Sequence, residues 1–294
     1  MTIVRACLRD GAGGSPTAVV EDHGALNDAD RRRVAVEQGT SHAVFLRAPH
    51  RGVPGLPGVG IRFFTAEGEL PACGHGTVAA LAFLASRAGT GAGSGHRVTL
   101  RTSARAFDGW VRRDGAGAHF SASFDPGPVC LRTPTTAELG PALAPLGAAA
   151  EAAAAQVRVA GVGRERLLVP VASRAALAAL DPDLDGLRDV CDRLGLLGAY
   201  VYSPPEPTGD LAARMFAPSI GVPEDIANAN STACLSAHLA RRGITRIAVD
   251  MGDAVDSPAT ITATARPGPS GVRVRVGGDA VVDGLRPALQ AGRS

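Results

Sequence analysis

The sequence of 294 residues contains no lysine, and all 30 of its basic residues are arginine. This absence excludes several mechanisms, because a pyridoxal-phosphate Schiff base, a lysine aldolase, a P-loop and a protein kinase all depend on a lysine amine. An excess of either charge is also missing, since 28 acidic residues leave a formal net charge of +2. This balance gives no indication of binding to nucleic acid or to a membrane.

Cysteine is scarce and scattered along the chain. The cysteines are odd in number and form no Cys-x-x-Cys pair, which argues against a zinc cage or a disulfide framework; they are Cys7, Cys73, Cys130, Cys191 and Cys234. The first residues show no signal-peptide pattern, and no apolar run is long enough to span a membrane. No Gly-x-Gly-x-x-Gly follows a strand, and no His/Cys metal set is clustered in the sequence. We expect a cytoplasmic protein without metal or cofactor.

The predicted elements are short and bounded by Gly, Pro and Asp. Strands are predicted over 17–21, 43–46, 59–65, 97–101 and 119–124. One helix is predicted over 27–39, with Asn27 as its cap and Gly39 at its end, and another over 75–89. The order then repeats, with strands at 166–171 and 199–202 flanking a helix opened by Ser173 and a helix over 184–194.

A turn-rich stretch divides the chain. Asp125-Pro126-Gly127-Pro128 is the best candidate for a domain boundary, and the Ala-rich segment 137–155 beyond it is predicted to be helical or connecting, without chemistry. We therefore expect a first domain over 1–128 and a second over 129–278.

An internal repeat relates the two halves. Its first segments are Arg62-Phe63-Phe64-Thr65-Ala66 and Arg214-Met215-Phe216-Ala217-Pro218, each followed by a proline, a loop of small residues and an Ala/Leu-rich helix. The loops are Gly74-His75-Gly76-Thr77 and Ala229-Asn230-Ser231-Thr232, and the second copy needs a three-residue insertion before its helix. The repeat predicts two domains of like fold, each presenting a loop and a helix N-terminus.

Two helix N-termini that face one cleft can bind an anion. Their backbone N–H groups are unpaired and carry a partial positive charge, so they would hold a small carboxylate-bearing molecule. The side chains expected in this cleft are Glu69, Cys73 and His75 from the first loop, and Glu224, Asp225, Asn228 and Asn230 from the second. These residues could transfer protons. Each also has a structural interpretation, such as Cys73 as a small buried side chain or His75 as a helix cap.

Three motifs resemble the PhzF-like phenazine-biosynthesis isomerases. The first is Gly14-Ser15-Pro16-Thr17-Ala18-Val19-Val20; the second runs from Arg62-Phe63-Phe64-Thr65 through Glu69-Leu70-Pro71-Ala72-Cys73-Gly74-His75-Gly76-Thr77; the third joins Phe216-Ala217-Pro218 to Gly221-Val222-Pro223-Glu224-Asp225. The resemblance implies the diaminopimelate-epimerase fold: two pseudo-symmetric α+β domains, each a curved sheet around a central helix, with a cofactor-free site between them. It also implies that residues 279–294 return to the first domain, and a homodimer.

The sequence departs from this family at its acid/base residue. The family's Ser-Glu-x-x-Phe reads Ser41-His42-Ala43-Val44-Phe45 here, so the usual glutamate is His42. A histidine can still move protons, with a titration expected near neutrality. Cys73-Gly74-His75-Gly76 also resembles the first thiol loop of the proline racemases, but their second loop is missing, because Cys234 is predicted to lie inside the following helix. This disfavours a two-thiol racemase.

These observations lead to one preferred function and two alternatives. The preferred function is a cofactor-independent isomerase of a small carboxylate-bearing metabolite, with His42 as general acid/base, His75 and Asp225 orienting the substrate or relaying protons, and Cys73 as a secondary candidate. The substrate-binding candidates are Ser15, Ser41, Gly74, Gly76, Thr77, Asn230 and Ser231. The alternatives are a lyase, dehydratase or cyclisation enzyme, and a non-catalytic small-molecule-binding protein.

Overall fold

The first half of the chain alternates short strands with two helices. The computed structural model describes residues 1–47, 58–89, 93–115, 117–268 and 271–283, with the backbone alone at 148–149. The elements of this half are β1 (Thr2–Leu8), β2 (Ser15–Glu21), α1 (Asp28–Glu37), β3 (His42–Arg47), β4 (Val59–Phe64), β5 (Glu69–Leu70), α2 (Gly74–Arg87), β6 (Gly95–Arg101), β7 (Ala106–Arg113) and β8 (His119–Phe124).

The second half adds nine strands and five helices within the described residues. They are β9 (Cys130–Arg132), α3 (Thr136–Leu143), α4 (Ala148–Glu151), β10 (Arg158–Val162), β11 (Arg164–Pro170), α5 (Arg174–Ala178), α6 (Leu184–Leu194), β12 (Ala199–Tyr202), β13 (Asp210–Ala217), β14 (Val222–Asp225), α7 (Ala229–Ala240), β15 (Arg246–Met251), β16 (Ala259–Gly268) and β17 (Gly271–Val282). The strands and helices predicted from the sequence are all present, with ends shifted by a few residues.

The strand pairing repeats from one half to the other. β1 and β2 pair antiparallel, β2 and β3 parallel, β3 and β4 antiparallel, and β4 and β6 parallel. The strands from β10 to β15 follow the same scheme, with β10–β11 antiparallel, β11–β12 parallel, β12–β13 antiparallel and β13–β15 parallel. This agreement supports the predicted repeat. The extra residues of the second copy form a short 3₁₀ turn, Pro218–Ile220, between β13 and β14.

Each half wraps its strands around one buried helix. In α2 eleven of 14 residues are buried, and in α7 ten of 12 are buried. Both helices consist largely of Ala, Gly, Ser and Thr, which lets the neighbouring strands approach closely. A helix that is apolar or small on every side is stable only when it is surrounded by protein. The structure is therefore α+β, with one central helix in each half, as the sequence predicts.

The last strand connects the two halves. Residues 271–277 of β17 pair with β16, whereas Asp279, Ala280, Val281 and Val282 pair with β1. The predicted return of residues 279–294 to the first half falls partly on residues 284–294, which lie outside the described part. The division near residue 128 stays a prediction. In the described part of the chain, no helix is both long enough and apolar enough to cross a bilayer.

Local signals explain the smaller elements. Asn27 caps α1 and forms a capping box with Asp30, as its sequence position predicts. Ser173 caps α5, and Asp183 caps α6. The apolar faces of α3, α5 and α6 pack against β10, β11 and β12 in a second core of their own. These elements cover the outer side of the second half and leave the central helix N-termini free to form a site.

Candidate active site

The N-termini of α2 and α7 meet beside a cavity of about 210 Å³. A Cβ atom on Gly74 would lie 2.6 Å from the Cβ of Ala229 and 2.9 Å from the backbone nitrogen of Asn230, so only glycine permits this approach. Asn228 caps α7 by accepting a hydrogen bond from the Ser231 nitrogen, whereas Cys73 gives α2 no side-chain cap. Among the described residues, no side chain caps the first N–H groups of α2 at the cavity.

The cavity is lined by residues from both halves. The first half contributes His42, Thr65, Glu67, Gly68, Glu69, Leu70, Pro71, Ala72, Cys73, Gly74 and His75; the second contributes Val162, Arg164, Arg166, Leu197, Ser219, Ile220, Asp225, Asn228 and Asn230. The predicted facing of the two loops across one cleft is confirmed.

His75 is held on three sides. Its Nδ1 donates a hydrogen bond to the carbonyl oxygen of Ala227 at 2.7 Å and lies 3.8 Å from Oδ1 of Asp225. Its Nε2 lies 3.5 Å from the Cys73 sulfur. Burial alone would lower the pKa of His75, but the interactions with Cys73, Asp225 and the Ala227 carbonyl oxygen outweigh it and raise that pKa to about 10. The direction of this shift favours the imidazolium form of His75.

Asp225 is the buried carboxylate beside His75. The carboxylate is 4% exposed, and it accepts a hydrogen bond from Nδ2 of Asn228 at 2.9 Å. Burial raises the pKa of Asp225, while the neighbouring His75 charge opposes the rise. A buried carboxylate costs free energy unless it is paired, and His75 with Asn228 provides that pairing. The Asp225 carboxylate lies 3.8 Å from His75 Nδ1, where its negative charge favours the protonated form of His75.

His42 lies against His75, but its pKa is shifted in the opposite direction. The two ring centroids are 4.4 Å apart, with an interplanar angle of 85°. Burial and the positive charge of His75 hold the pKa of His42 well below 6.5. The predicted titration near neutrality is therefore wrong for this environment, and His42 is neutral at pH 7. The hydroxyl of Ser41 lies 2.9 Å from Nδ1 of His42, so Ser41 orients the ring.

His42, Cys73 and His75 together could also hold a metal ion. Their ligand atoms all lie within 4.8 Å of one another. The sequence shows no such cluster, because His42 begins β3 while Cys73 and His75 come from the start of α2. The expectation of no clustered His/Cys set is thus wrong in three dimensions. A donor set of two imidazoles and a thiol suits zinc.

The structure separates the predicted site residues into two groups. The cavity lining includes His42, Cys73, Gly74, His75, Asp225 and Asn230, and leaves out Ser15, Ser41, Gly76, Thr77 and Ser231. The Thr77 hydroxyl donates to the carbonyl oxygen of Cys73, and the Ser231 hydroxyl faces the Met215 sulfur. Ser15 is fully buried. A Cβ on Gly76 would lie 3.0 Å from the Cys73 sulfur, so Gly76 packs behind the site.

Sequence reasoning missed Arg166 and Arg164 in the cavity wall. Arg166 is 2% exposed although it is an arginine, and both residues lie on β11. The only signal for Arg166 was a lone arginine directly before the apolar run Leu167-Leu168-Val169. Glu69, which was expected in the cleft, accepts hydrogen bonds from Arg62 at 2.8 and 2.5 Å.

Comparison with known proteins identifies the family. The family model described as phenazine biosynthesis-like protein matches residues 5–284. A trans-2,3-dihydro-3-hydroxyanthranilate isomerase from Pseudomonas fluorescens is 29% identical over 231 residues, covering 78% of this chain and 76% of that protein. The uncharacterized isomerase YddE of Escherichia coli O157:H7 is 27% identical over 243 residues, covering 79% of this chain and 75% of its own.

Solved structures share the fold. A predicted epimerase from Pseudomonas aeruginosa matches with a TM-score of 0.78 at 24% identity and covers 99% of both chains. A proline racemase from Agrobacterium radiobacter matches with a TM-score of 0.62 at 13% identity, over 98% of this chain and 92% of its own. The epimerase-like fold expected from the resemblance is confirmed.

The chain belongs to the phenazine biosynthesis-like protein family. Relatives of this family are named isomerases and epimerases, and the chain is an enzyme of the isomerase type whose particular reaction these names leave open.

Proposed function

We propose that the chain isomerises a small carboxylate-bearing metabolite by proton transfer, without a cofactor. The observation that carries the proposal is the contact between two buried histidine rings in the cavity, His42 and His75, whose centroids lie 4.4 Å apart. Burial and the neighbouring His75 hold the pKa of His42 well below 6.5, whereas the contacts with Cys73 and Asp225 raise that of His75 to about 10. Environments that separate two such values assign a base and a cationic partner. The relative from Pseudomonas fluorescens is named for a hydroxyanthranilate, which also carries a carboxylate.

The mechanism follows from these charge states. The substrate carboxylate binds at the uncapped N-terminus of α2, where backbone N–H groups and the helix dipole favour an anion. Neutral His42 removes a proton from a carbon activated by a neighbouring carbonyl or double bond, and the C–H electron pair enters the conjugated system. The His75 imidazolium stabilises the negative charge that develops. His42 then returns the proton to another carbon, so substrate and product have the same atoms.

Asp225 and Cys73 have supporting roles in this scheme. Asp225 keeps His75 protonated and fixes its ring, and the Cys73 sulfur lies at the other ring nitrogen. Cys73 is the secondary proton-transfer candidate because it also lines the cavity. The homodimer stays a prediction.

Solvent deuterium exchange tests the proposal. The purified protein is incubated in D₂O with candidate amino acids and cyclohexadiene carboxylic acids, and the carbon-bound protons are followed by ¹H NMR and mass spectrometry. We expect deuterium at one carbon of an unfragmented compound, at the same rate with and without EDTA. Loss of water or fragmentation would indicate the lyase or dehydratase alternative. Binding without exchange of any compound would indicate a binding protein.

A further inference from the structure

Arg166 is a buried cation without an anionic partner in the part of the chain that the structure describes. It is 2% exposed and lines the same cavity as His42 and His75. Its Nη2 donates a hydrogen bond to the carbonyl oxygen of Arg164 at 2.7 Å, and its Nη1 contacts the Cys234 sulfur at 3.1 Å. Its Nε is buried and has no hydrogen-bond partner among the described residues. One donor of the guanidinium is therefore left unsatisfied inside the protein.

The described residues around Arg166 supply no negative charge. No carboxylate among them lies within the 4.0 Å of an ion pair with its guanidinium, although many other arginines of the chain have such a partner. Burial raises the pKa of the Cys234 thiol in spite of the Arg166 charge, so the sulfur is neutral at pH 7. A buried charge that lacks a counter-charge is costly, which makes a bound anion the natural partner.

The carboxylates of the cavity wall are engaged elsewhere or lie at its rim. Asp225 is held by His75 and Asn228, and Glu69 is held by Arg62. Glu67 is exposed, and its side chain lies against Gly221. None of the three neutralises Arg166. The electropositive features of the cavity lining are therefore the uncapped N-terminus of α2, His75, Arg164 and Arg166. Arg164 lies 3.9 Å from Asp192 and His75 lies 3.8 Å from Asp225, whereas Arg166 has no carboxylate partner among the described residues.

We propose that Arg166 binds a second anionic group of the ligand, so that the substrate is a small dicarboxylate. One carboxylate binds at the α2 N-terminus beside His42 and His75, as the proposed function requires, and the other accepts hydrogen bonds from the Arg166 guanidinium, including its free Nε–H. Arginine suits this role because its planar donors match a carboxylate in geometry and charge. Arg166 is in this sense a residue that determines substrate specificity.

Binding of simple carboxylates tests the proposal without any turnover. Succinate, glutarate and adipate are each compared with the monocarboxylate of equal carbon number by isothermal titration calorimetry at low salt. We expect at least one dicarboxylate to bind tenfold or more tightly than its monocarboxylate. In Arg166→Gln this preference should fall below threefold, while monocarboxylate binding stays within about twofold of wild type. Arg188→Gln, which removes an exposed charge from α6, should keep the full preference.

A second readout separates ligand binding from a structural role. Removing an uncompensated buried charge is neutral or stabilising, so Arg166→Met should melt at or above the wild-type temperature without ligand. The rise in melting temperature caused by the dicarboxylate should disappear. If Arg166→Gln fails to fold, Arg166→Lys keeps the charge and should show an intermediate preference.

Two results would overturn the assignment. One is a wild-type preference below threefold for every dicarboxylate; the other is a preference that survives Arg166→Gln. Because these measurements need no catalysis, they can fail while deuterium exchange succeeds, and the reverse also holds.

Discussion

The two halves of the molecule keep the same supporting contacts but differ in the residues that face the cavity. Arg62 binds Glu69 and lies 4.9 Å from the ring centroid of Phe64. In the second half, Arg214 binds Glu224 and lies 4.8 Å from the ring centroid of Phe216. In the same way, the hydroxyl of Thr77 donates to the carbonyl of Cys73, and that of Thr232 to the carbonyl of Asn228. These matching contacts align the two copies residue by residue.

The alignment shows where the copies have diverged. Because Ala43 pairs with Phe64 and Ala199 with Phe216, His42 corresponds to Gly198. A Cβ on Gly198 would lie 1.9 Å from the Phe216 carbonyl oxygen, so the second half has no room for a side chain there. The strand next to β3 has also diverged. Thr17 of β2 pairs with His42, and the equivalent position of β11 in the second half is Arg166.

The two halves therefore contribute different types of residue to the site. In the proposed scheme the first half carries the proton-transfer residues His42, Cys73 and His75. The corresponding positions of the second half are Gly198, Asn228 and Asn230, none of which has an acid/base side chain. The second half supplies Asp225 and Arg166, which hold charge. Two copies in one chain allow this difference, because the cavity residues of each copy can change while its core contacts are kept.

The largest expected effect comes from removing the base of the first half. In His42→Ala, turnover should fall on the order of a hundredfold or more, because no other described residue offers a neutral imidazole at this point of the cavity. Ligand binding and the unfolding transition should remain close to wild type. Steady-state kinetics and calorimetry on the same preparation measure both.

Two further variants complete the test of His42, one as a control and one that restores the family residue. His96→Ala removes an exposed imidazole on β6 and should be fully active. His42→Glu restores the residue common in the family and is expected to recover isomerase chemistry on some carboxylate. Full activity in His42→Ala would transfer the role of base to Cys73 or Asp225.

The two Arg–Glu pairs should differ in their contribution to stability. Arg214 and Glu224 have side chains 13% and 10% exposed, and Arg214 also donates to the Leu180 carbonyl oxygen at 2.7 Å. Arg62 and Glu69 are 36% and 35% exposed. Arg214→Met should therefore cost about 3 kcal/mol, as expected for one partner removed from a buried pair. Arg62→Met should cost less than about 1 kcal/mol. Urea unfolding measures both values, and equal costs would contradict the comparison.

The contact between the N-termini of α2 and α7 can be tested by exchanging the two residues that meet there, Gly74 and Ala229. Gly74→Ala would place a Cβ 2.6 Å from that of Ala229, and we expect a loss of about 1–3 kcal/mol from overpacking. Ala229→Gly should cost about 1 kcal/mol as a helical glycine. The double variant restores one methyl group at the junction, so its cost should be smaller than the sum. Gly140→Ala in α3, where a Cβ meets open space, should be neutral or stabilising. Simple additivity would show that the helix ends do not touch.

The sequence predicts the repeat and the helix ends better than the side chains at the site. Asn27, Ser173 and the position of Cys234 inside α7 follow from local capping and periodicity, and all three are confirmed. Ser15 and Ser231 were expected in the cleft, but both point into the core. Which face of a buried helix or strand meets a cavity depends on the packing of distant strands.

Arg166 and the charge states of the two histidines depend on long-range packing in the same way. Arg166 follows Glu165 in a strand whose pattern is ordinary alternation. The approach of α7, whose Cys234 sulfur lies 3.1 Å from Nη1, helps to bury its side chain, and this packing cannot be read from the local sequence. Likewise, His42 and His75 are 33 positions apart in sequence, and their opposite pKa directions arise from a ring contact that local sequence does not reveal.

The smallest expected effect is the response of turnover to pH near neutrality. His42 acts as a base only when neutral, and its pKa lies well below 6.5, so the acid limb of kcat/KM should begin below that value. His75 acts as a cation only when protonated, and its pKa of about 10 sets the alkaline limb. Between pH 7 and 6 we expect a change of less than about 1.5-fold, whereas an ordinary histidine would cost about threefold.

The same values give the direction of the stability profile. The pKa of His75 is raised on folding from 6.5 to about 10, so its contribution is fully present below pH 6.5 and is lost as the pH rises toward 10. The free energy of unfolding should therefore decrease from pH 7 to 10, and His75→Asn, which copies Asn230 of the other half, should flatten this decrease. Denaturant titrations at pH 6, 8 and 10 measure it. A wild-type profile as flat as that of His75→Asn would mean that His75 is neutral, and His42 would then have no cationic partner.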